Sequence, residues 1–314
     1  MKRKVIQLAG KTLVVSLPSK WAEKYNIKKG DELELEDKKG ILNIVLEKKR
    51  ELERKIELDI TDLSVPLVWY FINSAYISGA NEIRIIFNTK YLEDYKRNKI
   101  EIMSLLNDIC SKLIGLEITT QSKSSCVLTE ITSIKEGEQI QVLKRLFFSV
   151  ISMGDDIIEA AKNKDTGVLK NIFISRDVNI NKLSNYLLKH IVSTQDETNK
   201  GFVIYVVKQL EEMGDIFNFI SEQILSYNKK IPQELLEICS EVIEEVRLTQ
   251  NIFFDFKKDK LIEFHRKRRE IKDKIKKTKL KELDVIKILS ALKSIVNMCM
   301  EIISVRMVDE YKSE

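Results

Sequence analysis

The 314-residue sequence contains little glycine, proline, cysteine or histidine: ten, three, four and two residues respectively. So few glycines and prolines exclude a chain built from many tight turns, and they favour long helices. The cysteines show no paired spacing, which excludes a Cys-x-x-Cys zinc site and a disulfide framework; they are Cys110, Cys126, Cys239 and Cys299. The composition therefore predicts a mainly α-helical protein with free thiols, as is usual in a reducing cytoplasm.

Catalytic motifs are also missing from the sequence. There is no glycine-rich phosphate loop and no Gly-x-Ser-x-Gly turn, and neither His190 nor His265 has an acid and a nucleophile at a recognisable spacing. No apolar stretch follows the basic start of the chain, and the apolar stretch at 65–80 is interrupted and too short to span a bilayer. We therefore expect a cytoplasmic protein that is not an enzyme and does not insert into a membrane.

Positive charge is concentrated at the N-terminus. Residues 1–50 contain 13 Lys and Arg against 7 Asp and Glu, whereas the remaining chain contains 40 against 41. The first twenty residues contain no acid at all. A polyanionic partner that binds near the N-terminus would explain this distribution. A basic tail that only aids solubility is the alternative, and charge alone does not separate the two.

The pattern of apolar residues divides the chain into three parts. Residues 4–47 alternate apolar and polar side chains, as in four short strands around one short helix that Pro18 begins. Residues 50–135 read as β-α-β-α-β-β, a small α/β sandwich whose second helix is predicted over 91–114. From about residue 138 the apolar period is 3.6, and six helices follow in two groups of three, over about 138–229 and 232–314.

The predicted helices of the third part end at short polar breaks. Their bounds are 139–163, 166–193, 199–228, 233–257, 258–278 and 280–312. Helices in two similar groups of three indicate a duplicated three-helix bundle. The N-terminal part differs, because about 45 residues with four short strands cannot bury enough surface alone. We therefore expect the N-terminal part to be an obligate dimer.

The segment RKVIQLAGKTLVVSLPSKWAEKYNIKKGDELELE, residues 3–36, resembles the AbrB-like (SpoVT/AbrB, swapped-hairpin) family. The resemblance implies that residues 1–48 form an interlocked dimeric β-domain that binds double-stranded DNA. Lysines and arginines would contact phosphates, and hydroxyl groups would donate hydrogen bonds. The implied DNA-binding residues are Arg3, Lys4, Lys11, Thr12, Ser16 and Lys20. The alternative is that Thr12 and Ser16 are ordinary strand residues and that Lys20 is merely solvated.

The segment QLEEMGDIFNFISEQI, residues 209–224, resembles PhoU, the phosphate-uptake regulator family. In that family, acidic pairs four residues apart on neighbouring helices bind a metal cluster, since an i,i+4 spacing puts both carboxylates on one helix face. Glu211 and Asp215 keep this pair, and Asp177 lies on the facing helix with Asn181 in place of a second carboxylate. The resemblance implies a divalent or iron-type metal ion at Asp177, Glu211 and Asp215. A solvated or lysine-paired helix face is the alternative.

The second group of helices departs from the acidic pattern. Its facing helix offers Glu270 followed by Lys274, and its last helix places Lys293 and Asn297 where the acids would be. A lysine repels a cation and occupies its volume, so we expect no second metal site. The run 257–281 also carries 13 Lys and Arg. It could contact DNA beside the primary site or an acidic partner, or it could be an exposed, charge-rich helix.

Together the resemblances cover nearly the whole chain and correspond to the archaeal type of PhoU regulator that carries its own DNA-binding domain. The implied architecture is a multidomain, mainly α protein: an AbrB-like domain at 1–48, an α/β middle domain at 50–135 and a PhoU-like helical domain at 138–314. The implied function is that of a homodimeric transcription regulator of phosphate uptake. The alternative is an adaptor that binds a phosphate transporter or signalling kinase, with the N-terminal domain serving only dimerisation.

Overall fold

The computed structural model describes residues 2–8, 10–38, 40–46, 54–94, 96–132, 137–194, 200–227 and 229–312. By its contacts the chain divides into two units, Met1–Glu53 and Arg54–Glu314. The second unit contains both the α/β part and the helical part, so the boundary expected between residues 135 and 138 lies inside it. The mainly α architecture with a small β-rich N-terminal domain is confirmed.

The first unit consists of two antiparallel hairpins and one short helix. Strands β1 (Ile6–Leu8) and β2 (Thr12–Val14) pair, as do β3 (Leu33–Lys38) and β4 (Ile41–Leu46), with helix α1 (Ser19–Lys24) between the hairpins. The tips of the two hairpins contain Gly10 and Gly40, which have φ of +87° and +84°. Glycine adopts this left-handed conformation at no steric cost, and this explains the two turn signals in the sequence.

The α/β part of the second unit is built on a four-stranded sheet with the order β5-β6-β10-β9. Its strands are β5 (Lys55–Asp59), β6 (Glu82–Ile86), β9 (Leu116–Gln121) and β10 (Ser125–Glu130). Helices α2 (Val65–Ile77) and α3 (Ile102–Lys112) pack against this sheet. Alternate residues of the central strands are buried, as expected for a sheet with one covered face; they are Ile83, Ile85, Cys126 and Leu128.

The helix predicted over 91–114 is wrong in nearly its first half. Residues Tyr91–Glu93 and Lys99–Glu101 form a hairpin, β7 and β8, and α3 begins only at Ile102. The Asp94 carboxylate explains the difference, because it accepts hydrogen bonds from the backbone N–H groups of Lys96 and Asn98, both at 2.8 Å. An aspartate that bonds the backbone two residues ahead stabilises a turn instead of a helix.

The helical part contains two groups of three helices. The first comprises α4 (Gln139–Asn163), α5 (Thr166–Asn171) continuing through a π-helical segment (Ile172–Arg176) into α6 (Asp177–Ser193), and α7 (Lys200–Ser226). The second comprises α8 (Gln233–Phe254), α9 (Lys258–Lys277) and α10 (Leu283–Lys312). Helix α4 packs against α8 and α7 against α10. The two groups therefore share one continuous hydrophobic core.

In the described part of the chain, one helix, α10, is long and apolar enough to cross a membrane, judged by length and composition alone. Its apolar residues recur at three- and four-residue intervals and are buried against α7 and α8, as in Ile288, Leu292, Ile295 and Cys299. This stripe is the pattern of a core helix in a globular protein.

A buried ion pair connects the α/β part to the helical part. Lys189 of α6 lies with its Nζ 2.8 Å from Glu130 Oε1, and their side chains are only 7% and 10% exposed. The same ammonium group donates to the Ala80 carbonyl oxygen at 3.2 Å and lies 4.6 Å from the centre of the Tyr76 ring. Glu130 Oε2 in turn accepts from Asn81 Nδ2 at 2.9 Å. Both charges are therefore neutralised and hydrogen-bonded, as burial requires.

Candidate functional site

The predicted DNA-binding residues are all exposed and belong to the first hairpin and its flanks. Arg3 and Lys4 precede β1, and Lys11 lies in the turn between β1 and β2. Thr12 begins β2, Ser16 follows its end, and Lys20 lies in α1. The residues are thus accessible to a partner, and their contacts with DNA stay a prediction.

The first unit has no interior of its own. Among its described residues none is buried, and a series of apolar side chains is exposed instead. The series comprises Val5, Ile6, Leu8, Leu13, Val15, Leu35, Leu42 and Ile44. Burial of apolar surface is the main favourable contribution to folding, and monomeric proteins rarely expose so continuous an apolar set. The first unit of a single chain therefore exposes an apolar surface, which is unfavourable in water unless another chain buries it.

The structure brings the three predicted metal ligands within electrostatic reach, because, besides burial, the charge of Glu211 raises the pKa of both Asp177 and Asp215. Asp177 on α6 and Asp215 on α7 lie close enough for each carboxyl group to affect the pKa of the other, and Asp177 Oδ2 accepts a hydrogen bond from Asn181 Nδ2 at 3.2 Å. Burial and the nearby charge of Asp177 raise the pKa of Asp215 to about 6. Burial also raises the pKa of Asp177, whose Oδ1 is buried and has no hydrogen-bond partner among the described residues. Asp177 directly follows the π-helical segment, a distortion that often occurs at functional sites.

The third predicted ligand, Glu211, forms an ion pair with a lysine. Glu211 Oε2 lies 2.5 Å from Lys208 Nζ, one turn earlier on α7, which is the lysine-paired arrangement considered above. Among the described residues, no three His, Cys, Asp or Glu side chains are grouped so that they could hold a metal ion. The metal site stays a prediction.

The corresponding place in the second group of helices is occupied by cations. Arg268 of α9 bonds to α10: its Nη2 donates to Asn297 Oδ1 at 3.2 Å, and its Nη1 donates to the Val296 carbonyl oxygen. The expectation that Glu270 and Lys274 face α10 is therefore wrong. Glu270 pairs with Arg266 along α9, and Lys274 pairs with Glu241 of α8.

A fully buried carboxyl group lies beside Arg268. Glu245 of α8 has no exposed surface, and its Oε1 lies 3.5 Å from Arg268 Nη1. Its Oε2 has no hydrogen-bond partner among the described residues. Burial raises the pKa of Glu245 to about 7, although the positive charge of Arg268 opposes this shift. Desolvation of the carboxylate therefore outweighs its attraction to the guanidinium group.

The raised pKa of Glu245 predicts that the free energy of unfolding falls as pH rises. The folded protein binds a proton that the unfolded chain releases between pH 4.5 and about 7, so stability is highest below this window and lost through it. The full effect is on the order of 3 kcal/mol. Glu245→Gln, neutral at every pH, should flatten the curve measured by urea denaturation at pH 5, 6.5 and 8. Glu234→Gln, an exposed position on the same helix, should leave it unchanged.

An equal loss of stability between pH 5 and 8 in the wild type and in Glu245→Gln would contradict this assignment. Unfolding should be monitored by far-ultraviolet circular dichroism, because α8 belongs to the shared helical core.

Known proteins are similar to parts of this chain. Residues 6–53 match the model of the MazE family, described as antidote-toxin recognition MazE, bacterial antitoxin. A comparison with curated proteins finds no match. Among solved structures, the chain is similar to a PhoU-like phosphate regulatory protein from Shewanella oneidensis MR-1, with 14% identity and a TM-score of 0.43 over 55% of this chain and 99% of that one. The N-terminal segment, for which the sequence implied an AbrB-like domain, therefore matches a MazE family model.

Proposed function

We propose that the protein is a cytoplasmic, homodimeric transcription regulator without enzymatic activity. In this proposal its N-terminal unit binds double-stranded DNA and its helical part responds to phosphate status. One observation supports it most: the segment that matches the MazE family carries exposed cations on its first hairpin, and none of its residues whose burial the structure describes is buried. A dimer would cover the apolar surface and pool the cations of two chains against one duplex.

The assignment to phosphate uptake rests on the PhoU-like residues of α7, which include Glu211 and Asp215. A change of charge or ligand state in the helical part would alter DNA binding only if it favoured one arrangement of the dimer over another. In a dimer, two half-sites would be bound together, so small changes in their spacing would change affinity strongly.

Replacing Arg3, Lys4, Lys11 and Lys20 with alanine should weaken binding to promoter DNA on the order of 10³-fold at 0.15 M salt. Each lost phosphate contact lowers the slope of log K against log salt by about 1, so a dimer that loses eight contacts should show a nearly flat dependence. Fluorescence anisotropy of labelled DNA with the full-length protein, between 0.05 and 0.3 M salt, measures both quantities.

A matched control removes four cations from α9, by replacing Arg266, Lys267, Arg269 and Lys276 with alanine. We expect this variant to bind DNA within about threefold of the wild type, because the proposed contacts with DNA are made by the first hairpin and not by the α9 cations. Equal loss in both variants would show that binding follows net charge. No binding above a nonspecific background in the wild type would favour the adaptor function, in which a transporter or signalling protein is the partner.

A further inference from the structure

Two helix pairs in the second unit have opposite charges at related positions. Between α6 and α7, Asp177 meets Asp215, and Glu211 lies one turn earlier on α7. Between α9 and α10, Arg268 meets Asn297, and Lys293 lies one turn earlier on α10. In each group the third helix carries two of these residues four positions apart. They are Glu211 and Asp215 on α7, and Lys293 and Asn297 on α10. The first location is acidic, and the second is basic.

Lys272 completes the basic location. It follows Arg268 by four residues on α9, which places both side chains on one helix face. Its pKa is lowered by partial burial first and then by the positive charges of Arg268 and Lys293, while Glu245 acts in the opposite direction. Lys272 and Lys293 therefore lie within electrostatic reach of each other across the two antiparallel helices. Among the described residues, neither has a carboxylate within ion-pair distance.

The contact between Arg268 and Asn297 fixes the direction of a further donor. A guanidinium group can only donate, so Asn297 must present its carbonyl oxygen to Arg268. The Nδ2 group of Asn297 therefore points away from Arg268 with its hydrogens available. Arg268 itself is held by Glu245 and by the Val296 carbonyl oxygen, and only 11% of its side chain is exposed. The cluster thus offers ammonium and amide donors that are supported by a fixed guanidinium group.

We propose that Lys272, Lys293 and Asn297 form a binding site for a tetrahedral oxyanion, either free phosphate or the terminal phosphate of a small metabolite. Two ammonium groups and an amide donor match the acceptor oxygens of phosphate. Bringing together unpaired like charges costs free energy in the free protein, and an anion between them removes this cost. The inference rests on the proposed function, because it names a ligand for the helical part that responds to phosphate status. The site lies in the Arg54–Glu314 unit, so a titration without DNA distinguishes its failure from a failure of DNA binding.

The test titrates the full-length protein with inorganic phosphate by isothermal calorimetry, in chloride buffer at constant ionic strength and without DNA. The expected result is one site per chain with a Kd on the order of 1 mM or lower. Lys272→Gln combined with Lys293→Gln should weaken binding at least tenfold. Lys96→Gln combined with Lys258→Gln removes the same charge from exposed positions elsewhere and should leave the Kd unchanged.

A second titration with adenosine monophosphate separates the two sources of the oxyanion. Binding of inorganic phosphate assigns the site to the free ion, and binding of the nucleotide alone assigns it to a phosphorylated metabolite. The inference is overturned when neither probe binds at 10 mM, or when the control pair loses as much affinity as the site pair. The thermal unfolding midpoint of the wild type provides a check independent of the variants, since a ligand of the folded state must raise it.

Discussion

Replacing Lys189 with methionine should lower the free energy of unfolding of the second unit by about 3 to 5 kcal/mol. Methionine keeps most of the volume of the side chain, so the loss comes from leaving Glu130 buried with Asn81 as its remaining partner. The variant also removes the donor to the Ala80 carbonyl oxygen. Urea denaturation followed by circular dichroism measures this loss.

Two matched variants separate the buried pair from an ordinary charge effect. Lys112→Met breaks the exposed pair with Asp108 and should cost less than about 1 kcal/mol. Adding Glu130→Gln to Lys189→Met should restore part of the stability, because the uncompensated charge is removed, and a double-mutant cycle gives the coupling. A loss in Lys189→Met no larger than in Lys112→Met would refute the importance of the buried pair.

Replacing Leu13 with glutamate should convert the proposed dimer into monomers and lower the proposed DNA affinity by at least about 10²-fold. In the isolated chain Leu13 is 69% exposed, so on a free surface this change would alter stability by no more than about 0.5 kcal/mol. A large effect is expected only if a second chain covers Leu13. Analytical ultracentrifugation of the full-length protein gives the assembly state, and anisotropy gives the affinity.

Leu283→Glu is the control for this prediction. Leu283 is 68% exposed, at the first residue of α10 in the second unit. The two leucines are therefore about equally exposed in one chain. Only Leu13 belongs to the exposed apolar residues of the first unit, which are proposed to form the dimer interface. A dimer that survives Leu13→Glu with unchanged DNA affinity would disprove the proposed interface.

Local sequence signals predicted the secondary structure well where capping chemistry is strong. Helix α4 was predicted over 139–163 and has these bounds, because Lys164 adopts a left-handed conformation and Asp165 caps the next helix by accepting from the Val168 backbone. The region 91–101 was missed because the apolar spacing of α3 extended the predicted helix backwards over a turn. The signal that could have prevented this error is Asp94, followed by Asn98.

The candidate sites were less predictable, because they depend on which residues of separate helices meet. The sequence placed Lys293 and Asn297 at the second acidic location, but it could not show that Arg268 rather than Glu270 faces them. The offset between two packed helices is decided by interdigitation of their side chains, which spacing along one helix does not reveal. The position of Lys189 among the leucines and isoleucines of α6 is a partial signal for a buried cation. Its partner Glu130 is remote in the sequence, so the pair could not be predicted from local spacing.

The link between Lys189 and Glu130 also decides how this protein should be divided for recombinant production. A fragment starting after residue 137 would lose Glu130, the counter-ion of Lys189, and the side of α6 that packs against α2 and α3 would be open to water. A fragment starting at Arg54 keeps that surface covered, and it also retains the bond from the Arg54 backbone to Asn81 Oδ1 at 3.0 Å. Truncation is therefore best placed at the end of the first unit, and the α/β part should be purified together with the helices as a single piece.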